Sequence, residues 1–323
     1  MSTDTKYRGV IIGCGNIGAL LERDERRPRP RTHASTLITN PKTELSAFVD
    51  TSEENLKKAG VLFPDVPAYT DLQKCLAEKK PEITIVATSP VSHAPIIEVC
   101  ADAKVPILIG EKPIAHSIED AQRIKGAIEK SGSTFVLNYQ RRFFPLFLRA
   151  RKRLAAGALG RIREVRCLYD NGLFNNGGHA IDSVQFLLGG KMLSVTGVVN
   201  EKNTTHPEGD SNIEGAVLTE SGTKISLQSF DQKVSPIHEL QLYGEKGELH
   251  IRDFGYTFDW GDGVEHEEVS MTAGALDEAI GAYEKNREPV SGIQNGIGTL
   301  SVLEALSESA RQNGIPQKVI YTR

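Results

Sequence analysis

The stretch Gly9-Val10-Ile11-Ile12-Gly13-Cys14-Gly15-Asn16-Ile17-Gly18 decides how this chain is read. A short apolar, strand-like run feeds directly into the pattern G-x-G-x-x-G, in which each glycine has a separate physical duty. Gly13 permits a tight turn, Gly15 lets the backbone approach a pyrophosphate, and Gly18 lets the following helix pack against the strand. The anion is then expected on the N-terminus of that helix, cradled by the free N–H groups of the loop that Asn16 and Ile17 complete. A hexapeptide of this kind also fits a plain glycine turn. Its place after a first strand, at the head of a series of βα units, makes dinucleotide binding the reading.

Working outward, apolar runs at 8–12, 45–49, 83–87, 107–108 and 134–137 alternate with amphipathic stretches at 52–59, 72–78, 94–101 and 118–130. Continuous apolar runs of strand length are what a parallel sheet covered on both faces requires. Thr70 and Ser117 are the expected helix caps. The pattern predicts an α/β fold whose N-terminal domain, 1–138, is a Rossmann-type doubly wound parallel sheet. Beyond it a helix at 145–156 leads into alternating runs at 162–169, 193–199, 215–220, 224–230, 239–243 and 248–251, with turns at Ser221-Gly222 and Glu245-Lys246-Gly247. Two helices, 275–286 and 292–313, close the chain. This predicts a C-terminal α+β domain, 139–323, built on a large, open, mainly antiparallel sheet.

Composition narrows the function classes. The 323 residues carry 38 Lys+Arg against 42 Asp+Glu, a net charge of −4, which argues against nucleic acid as a partner. A mean hydropathy of −0.29 and the lack of a long apolar run predict no membrane partner. The polar start, Met1-Ser2-Thr3-Asp4-Thr5, is expected to carry no apolar leader, which points to the cytoplasm. Cys14, Cys75, Cys100 and Cys167 form no metal or redox spacing and are read as reduced thiols, with Cys14 a packing residue of the glycine turn. No metal is expected.

An acid at the end of the second strand, Asp50, is placed to accept hydrogen bonds from the adenosine ribose and to repel a 2′-phosphate, which favours NAD. It lies 32 positions beyond Gly18, against about 20 in the usual pattern. The excess is an insertion, Glu22-Arg23-Asp24-Glu25-Arg26-Arg27-Pro28-Arg29-Pro30-Arg31, whose prolines forbid one continuous helix. It reads either as a solvated loop or as a phosphate-binding arm for substrate or cofactor. The second possibility keeps NADP open.

Glu111-Lys112-Pro113 follows a strand end, at the edge where open α/β sheets hold their chemistry. A lysine there, partly desolvated beside an oxidised nicotinamide, would have its pKa drawn down toward proton-transfer work. By motif alone a surface lysine fits equally well. Further on, Asn175-Asn176-Gly177-Gly178-His179-Ala180-Ile181-Asp182 opens an apolar helix and brings His179 and Asp182 within reach on one face.

Together these elements resemble the Gfo/Idh/MocA family (glucose-fructose oxidoreductase, inositol 2-dehydrogenase and relatives). The likeness rests on the glycine motif, Glu111-Lys112-Pro113, Asn138-Tyr139-Gln140-Arg141-Arg142-Phe143, Gly177-Gly178-His179-Ala180-Ile181-Asp182 and the segments around Thr88-Ser89-Pro90 and His93. The resemblance implies hydride transfer between nicotinamide and a secondary alcohol carbon of a sugar, cyclitol or nucleotide-sugar. It implies Lys112 and His179 as the catalytic pair. Thr88, Ser89, Pro90, His93 and Glu111, with Lys112, line the cofactor. Tyr139, Arg142, Asn175 and Asn176 meet the substrate, and a homodimer or homotetramer forms through the C-terminal sheet. Many members carry aspartate where this chain has Asn175. An amide orients a hydroxyl but moves no proton, so weight shifts to Lys112 and His179; by analogy the change also fits subfamilies acting on nucleotide-linked or activated sugars. Two other activities fit the same fold: a non-catalytic dinucleotide- or sugar-sensing regulator, and an NAD-dependent glycosidase.

Overall fold

The computed structural model describes residues 6–321; the polar start at 1–5 lies outside them. The chain divides into two compact units, and the first gathers residues up to Gln140 together with Val269–Gly296. Its sheet has six parallel strands: β1 (Tyr7–Ile12), β2 (Thr43–Val49), β3 (Ala68–Tyr69), β4 (Ile83–Val86), β5 (Ile107–Gly110) and β6 (Thr134–Leu137). They lie in the order β3-β2-β1-β4-β5-β6, so the strand order reverses between β1 and β4. Every residue of β4 and β5 is buried, because helices cover both faces, and this is why those runs read as unbroken apolar sequence. The covering helices are α1 (His33–Thr39), α2 (Glu53–Leu62), α3 (Leu72–Lys79), α4 (His93–Asp102) and α5 (Ile118–Ser131). Ser117 caps α5 through the Asp120 N–H, whereas α3 is capped by Asp71, one residue later than Thr70.

The region after the glycine motif departs from expectation. No α-helix runs on from Gly18. One tight turn and a 3-10 segment, Leu20–Arg23, lead into the arginine-rich loop, and α1 begins only at His33 under a Thr32–Ser35 capping box. The N–H groups of His33 and Ala34 donate to the carbonyls of Ile17 and Gly18 at 3.0 Å each. The helix that the motif starts is thus continued by α1, with the intervening residues looped out. Subtracting that loop accounts for the long spacing to Asp50. Inside the loop, Arg31 donates to the carbonyls of Glu22 and Arg27, and Arg26 pairs with Asp24.

The boundary also differs from a single cut at 138/139. Helix α6 (Pro145–Ala155) opens the second unit, but helix α8 (Ala273–Glu284) returns to the first and packs against β5 and β6. Its buried face, Ala275, Leu276, Ala279 and Ile280, is built of residues that periodicity assigns to any core.

The second unit carries a nine-stranded sheet of β7 (Ile162–Asp170), β8 (Met192–Val199), β9 (Ile213–Thr219), β10 (Lys224–Phe230), β11 (His238–Gly244), β12 (Gly247–Arg252), β13 (Thr257–Asp259), β14 (Val264–His266) and β15 (Gln317–Lys318). The order is β14-β13-β12-β11-β7-β10-β9-β8-β15, antiparallel throughout except for the parallel pair β7–β10. One face buries Val165, Cys167, Ile225, Leu227, Leu240 and Leu249. Helix α7 (Gly178–Leu188) packs on that side against β7 and β11. The other face is open. Helix α9 (Ile293–Arg311) joins the second unit beyond Gly296. All four cysteines are free and buried, and burial pushes their pKa up, to about 12 for Cys14.

Candidate active site

In the first unit a cleft of about 800 Å³ opens at the carboxyl ends of β1, β2 and β4, where the strand order reverses. Its floor is the glycine loop. Gly13 has φ +97°, and a Cβ there would lie 2.6 Å from the Ala87 carbonyl oxygen; one at Gly18 would lie 2.0 Å from that of Gly13. Around the missing Cβ of Gly15 there is open space, as a loop that admits a phosphate requires. Asp50 stands at the rim. Its Oδ2 accepts from the Cys14 N–H at 2.8 Å and from Asn55 Nδ2 at 3.3 Å, and its Oδ1 accepts from the Ser52 N–H at 2.8 Å. With three donors in place, about one of the four acceptor sites of the carboxylate is left for a further donor. Asp71 lines the same cleft, and among the described residues no Lys or Arg does. Thr88, Ser89 and Ser92 form the facing wall. These residues fit an NAD molecule.

Beside this wall, β5 ends in Glu111-Lys112. Glu111 is buried. Its Oε1 accepts from His33 Nε2 at 2.8 Å and Asn138 Nδ2 at 2.7 Å, and its Oε2 accepts from the Lys112 N–H at 3.2 Å. Burial alone would raise its pKa, but these donors and the Lys112 charge outweigh it and hold the carboxyl below its usual range. The Glu111 side chain therefore anchors the Lys112 loop. Lys112 itself is half-buried. Tyr139 is buried, and Pro90 begins a 3-10 turn that leads into α4. The His93 ring is buried and bonded to backbone carbonyls of the Thr88 and Pro113 loops. Sequence reasoning missed His33. Asn138, the other side chain that donates to Glu111, stood unremarked inside a recognised motif.

The second unit presents the other predicted group. Gly172, at φ +94°, turns the chain into a π-helix, Leu173–Gly177, that runs on into α7. Such turns mark functional positions because they offset the side chains that follow. Asp210 pins this one, accepting from the Phe174 N–H at 3.2 Å and the Asn175 N–H at 3.0 Å. Asn176 Nδ2 donates to the buried Asp170 at 2.6 Å, and Asn175 Nδ2 to the Asn171 carbonyl at 3.1 Å. The His179 ring lies edge-on to that of His238, with centroids 6.3 Å apart. Asp182 gives both oxygens to Arg142 Nε, at 2.9 and 3.0 Å, and accepts from Thr299. Arg142 was expected at the substrate; the structure commits its guanidinium to a buried ion pair that secures α7. Among the described residues no group of three His, Cys, Asp or Glu is placed to hold a metal ion, and no helix is long and apolar enough to cross a membrane.

Residues 7–139 match the Gfo/Idh/MocA model, described as an oxidoreductase family with an NAD-binding Rossmann fold. The chain is 28% identical over 159 residues to D-apiose dehydrogenase of Paraburkholderia graminis, covering 49% of this chain and 39% of that protein. It is 23% identical over 307 residues to inositol 2-dehydrogenase 2 of Saccharopolyspora erythraea, covering 84% and 86%. The chain thus spans less than half of the apiose enzyme but most of the inositol enzyme. In structure it resembles the WlbA dehydrogenase of Bordetella pertussis in complex with NADH and UDP-GlcNAcA, with a TM-score of 0.81, 20% identity and full coverage of both chains. It likewise resembles the aldose-aldose oxidoreductase of Caulobacter crescentus, with a TM-score of 0.80, 22% identity and coverage of 97% and 99%. The fold and the glycine-loop cleft define an NAD-binding Rossmann domain, and it is this domain, residues 7–139, that the family model matches.

Proposed function

We propose that the protein is an NAD-dependent dehydrogenase acting on a secondary alcohol of a sugar, cyclitol or nucleotide-linked sugar in the cytoplasm. The observation that carries this reading is the glycine-loop cleft lined by Asp50 and Asp71, with no Lys or Arg among its described lining residues, beside a loop that carries Lys112. NAD, when bound, supplies the acceptor for the substrate hydride. Lys112 takes the hydroxyl proton, and His179 is the other proton-handling residue that the resemblance implies. Asn175 and Asn176, amides without acid–base capacity, orient neighbouring hydroxyls, and Tyr139 closes the site around the reacting carbon. Positioning contributes most of the rate, and the proton pair about 10²–10⁴-fold.

The inositol and apiose dehydrogenases among the relatives support a polyhydroxylated substrate, and the nucleotide-sugar complex of WlbA makes that class the first to try. The test is a panel of cyclitols, sugars and nucleotide-sugars assayed for NADH formation with the wild type and with Lys112→Ala. Turnover should appear with one class and fall by at least about 10²-fold in the variant, while NAD affinity stays near wild type. A variant with full turnover removes Lys112 from the chemistry. Release of free sugar without net NADH marks a glycosidase instead. We further propose that the open face of the second sheet pairs with a second copy of the chain.

A further inference from the structure

His93, the first residue of α4, occupies a position that the proposed chemistry leaves unused. Its ring is buried between two loops of the carboxyl edge. Nδ1 faces the carbonyl oxygens of Pro113 at 3.1 Å and Ile114 at 3.2 Å, while Nε2 faces that of Thr88 at 3.1 Å. All three neighbours are acceptors. A neutral imidazole has one N–H and one lone pair, so it can donate toward only one of the two loops. Burial draws the ring's pKa below its usual value despite the opposing pull of the three carbonyls and of Glu111, so the ring is neutral at pH 7. The single proton belongs where it meets more acceptor density. On Nδ1 it is shared between two carbonyls. On Nε2 it would leave the Nδ1 lone pair against both of them.

We infer that His93 is a positioning residue that carries its single ring proton on Nδ1 and holds the Lys112-Pro113-Ile114 loop against the sheet. The inference rests on the reading of Lys112 as the proton-handling group, and it assigns a cause to that lysine's fixed position. Glu111 grips the loop through the Lys112 N–H, and His93 grips it two residues later through the Pro113 and Ile114 carbonyls. The opposite ring edge, a lone pair against the Thr88 carbonyl, leaves the cofactor-side loop without a donor from His93.

The first test is ¹⁵N NMR of the histidine rings in the selectively labelled full chain, with the His93 signals assigned by their loss in His93→Asn. The Nδ1–H tautomer is expected at neutral pH, and an Nε2–H or doubly protonated ring overturns the proposal. The second test compares three variants. Asparagine sets an amide donor near the place of Nδ1, glutamine sets one near the place of Nε2, and leucine supplies none. His93→Leu should lower kcat about tenfold with KM for NAD nearly unchanged, and should speed amide exchange at Ile114. His93→Asn should recover more of that loss than His93→Gln, and the reverse order overturns the assignment. The tautomer and the exchange rate are read without turnover. If Lys112→Ala proves active, the Lys112 reading fails while the role of His93 in holding the loop is still scored.

Discussion

Glu111 has a charge that burial opposes, and it retains it because His33, Asn138 and the Lys112 N–H all donate to it. Its depressed pKa ties it to acid stability. The unfolded chain takes up this proton first as pH falls, so the stabilisation is complete above the unfolded glutamate value, about 4.3, and is lost as pH drops through the lower folded value. Glu111→Gln should therefore unfold at lower urea than wild type at about pH 7, with the deficit shrinking at about pH 3.5. A deficit of equal size at both would mean that charge is not what Glu111 contributes. At the other end of the cleft, Asp50→Ala should relax the preference for NAD over NADP by about tenfold or more, read from the two dissociation constants. Asp50 was legible in the sequence because an acid ending a second strand has a known partner. The Glu111–His33–Asn138 bonding was not, because 78 positions separate His33 from Glu111 and no local pattern links them.

The glycine loop shows why identical residue types within one motif have different consequences at the scale of an element. A Cβ at Gly18 would collide with the carbonyl that closes the turn, whereas one at Gly15 would project into the cleft. Gly18→Ala should lower thermal stability whether or not cofactor is present. Gly15→Ala should keep the melting temperature of the apo protein and weaken NAD binding by about tenfold or more, measured by titration calorimetry. Equal loss of stability in both would mean that the open space at Gly15 is not a binding surface. The looped-out segment belongs to this scale as well. Its prolines announced an interruption, but only the bonds from His33 and Ala34 back to Ile17 and Gly18 show that a single helix has been cut and resumed. Its arginines serve the loop in part: Arg31 staples its two limbs, and Arg27 reaches Met271.

At the scale of the whole molecule, the open sheet face mixes Glu164, Arg166 and Lys224 with the exposed apolar residues Val198 and Leu218. An uncovered face of this composition is suited to a second copy of the chain. Val198→Asp combined with Leu218→Asp should shift sedimentation from dimer or larger to monomer, and a wild type that already sediments as a monomer would rule out this pairing. What the sequence determined by itself was the class: a glycine loop after a strand, apolar runs of period-free β type, an acid after β2, and motifs carrying Lys112 and His179. Those signals are local, because turn sterics, strand burial and ribose recognition each act within a few residues. Tertiary structure alone decided the rest. It returned α8 to the first unit, gave Arg142 to Asp182, pinned the π-helix with Asp210, and set the His93 ring between the Thr88 carbonyl and the loop of Lys112. For α8 the physical reason is burial of an apolar face; for the other three it is that a polar group must find a partner, and in all four cases the neighbour is chosen by proximity in space and not by distance along the chain.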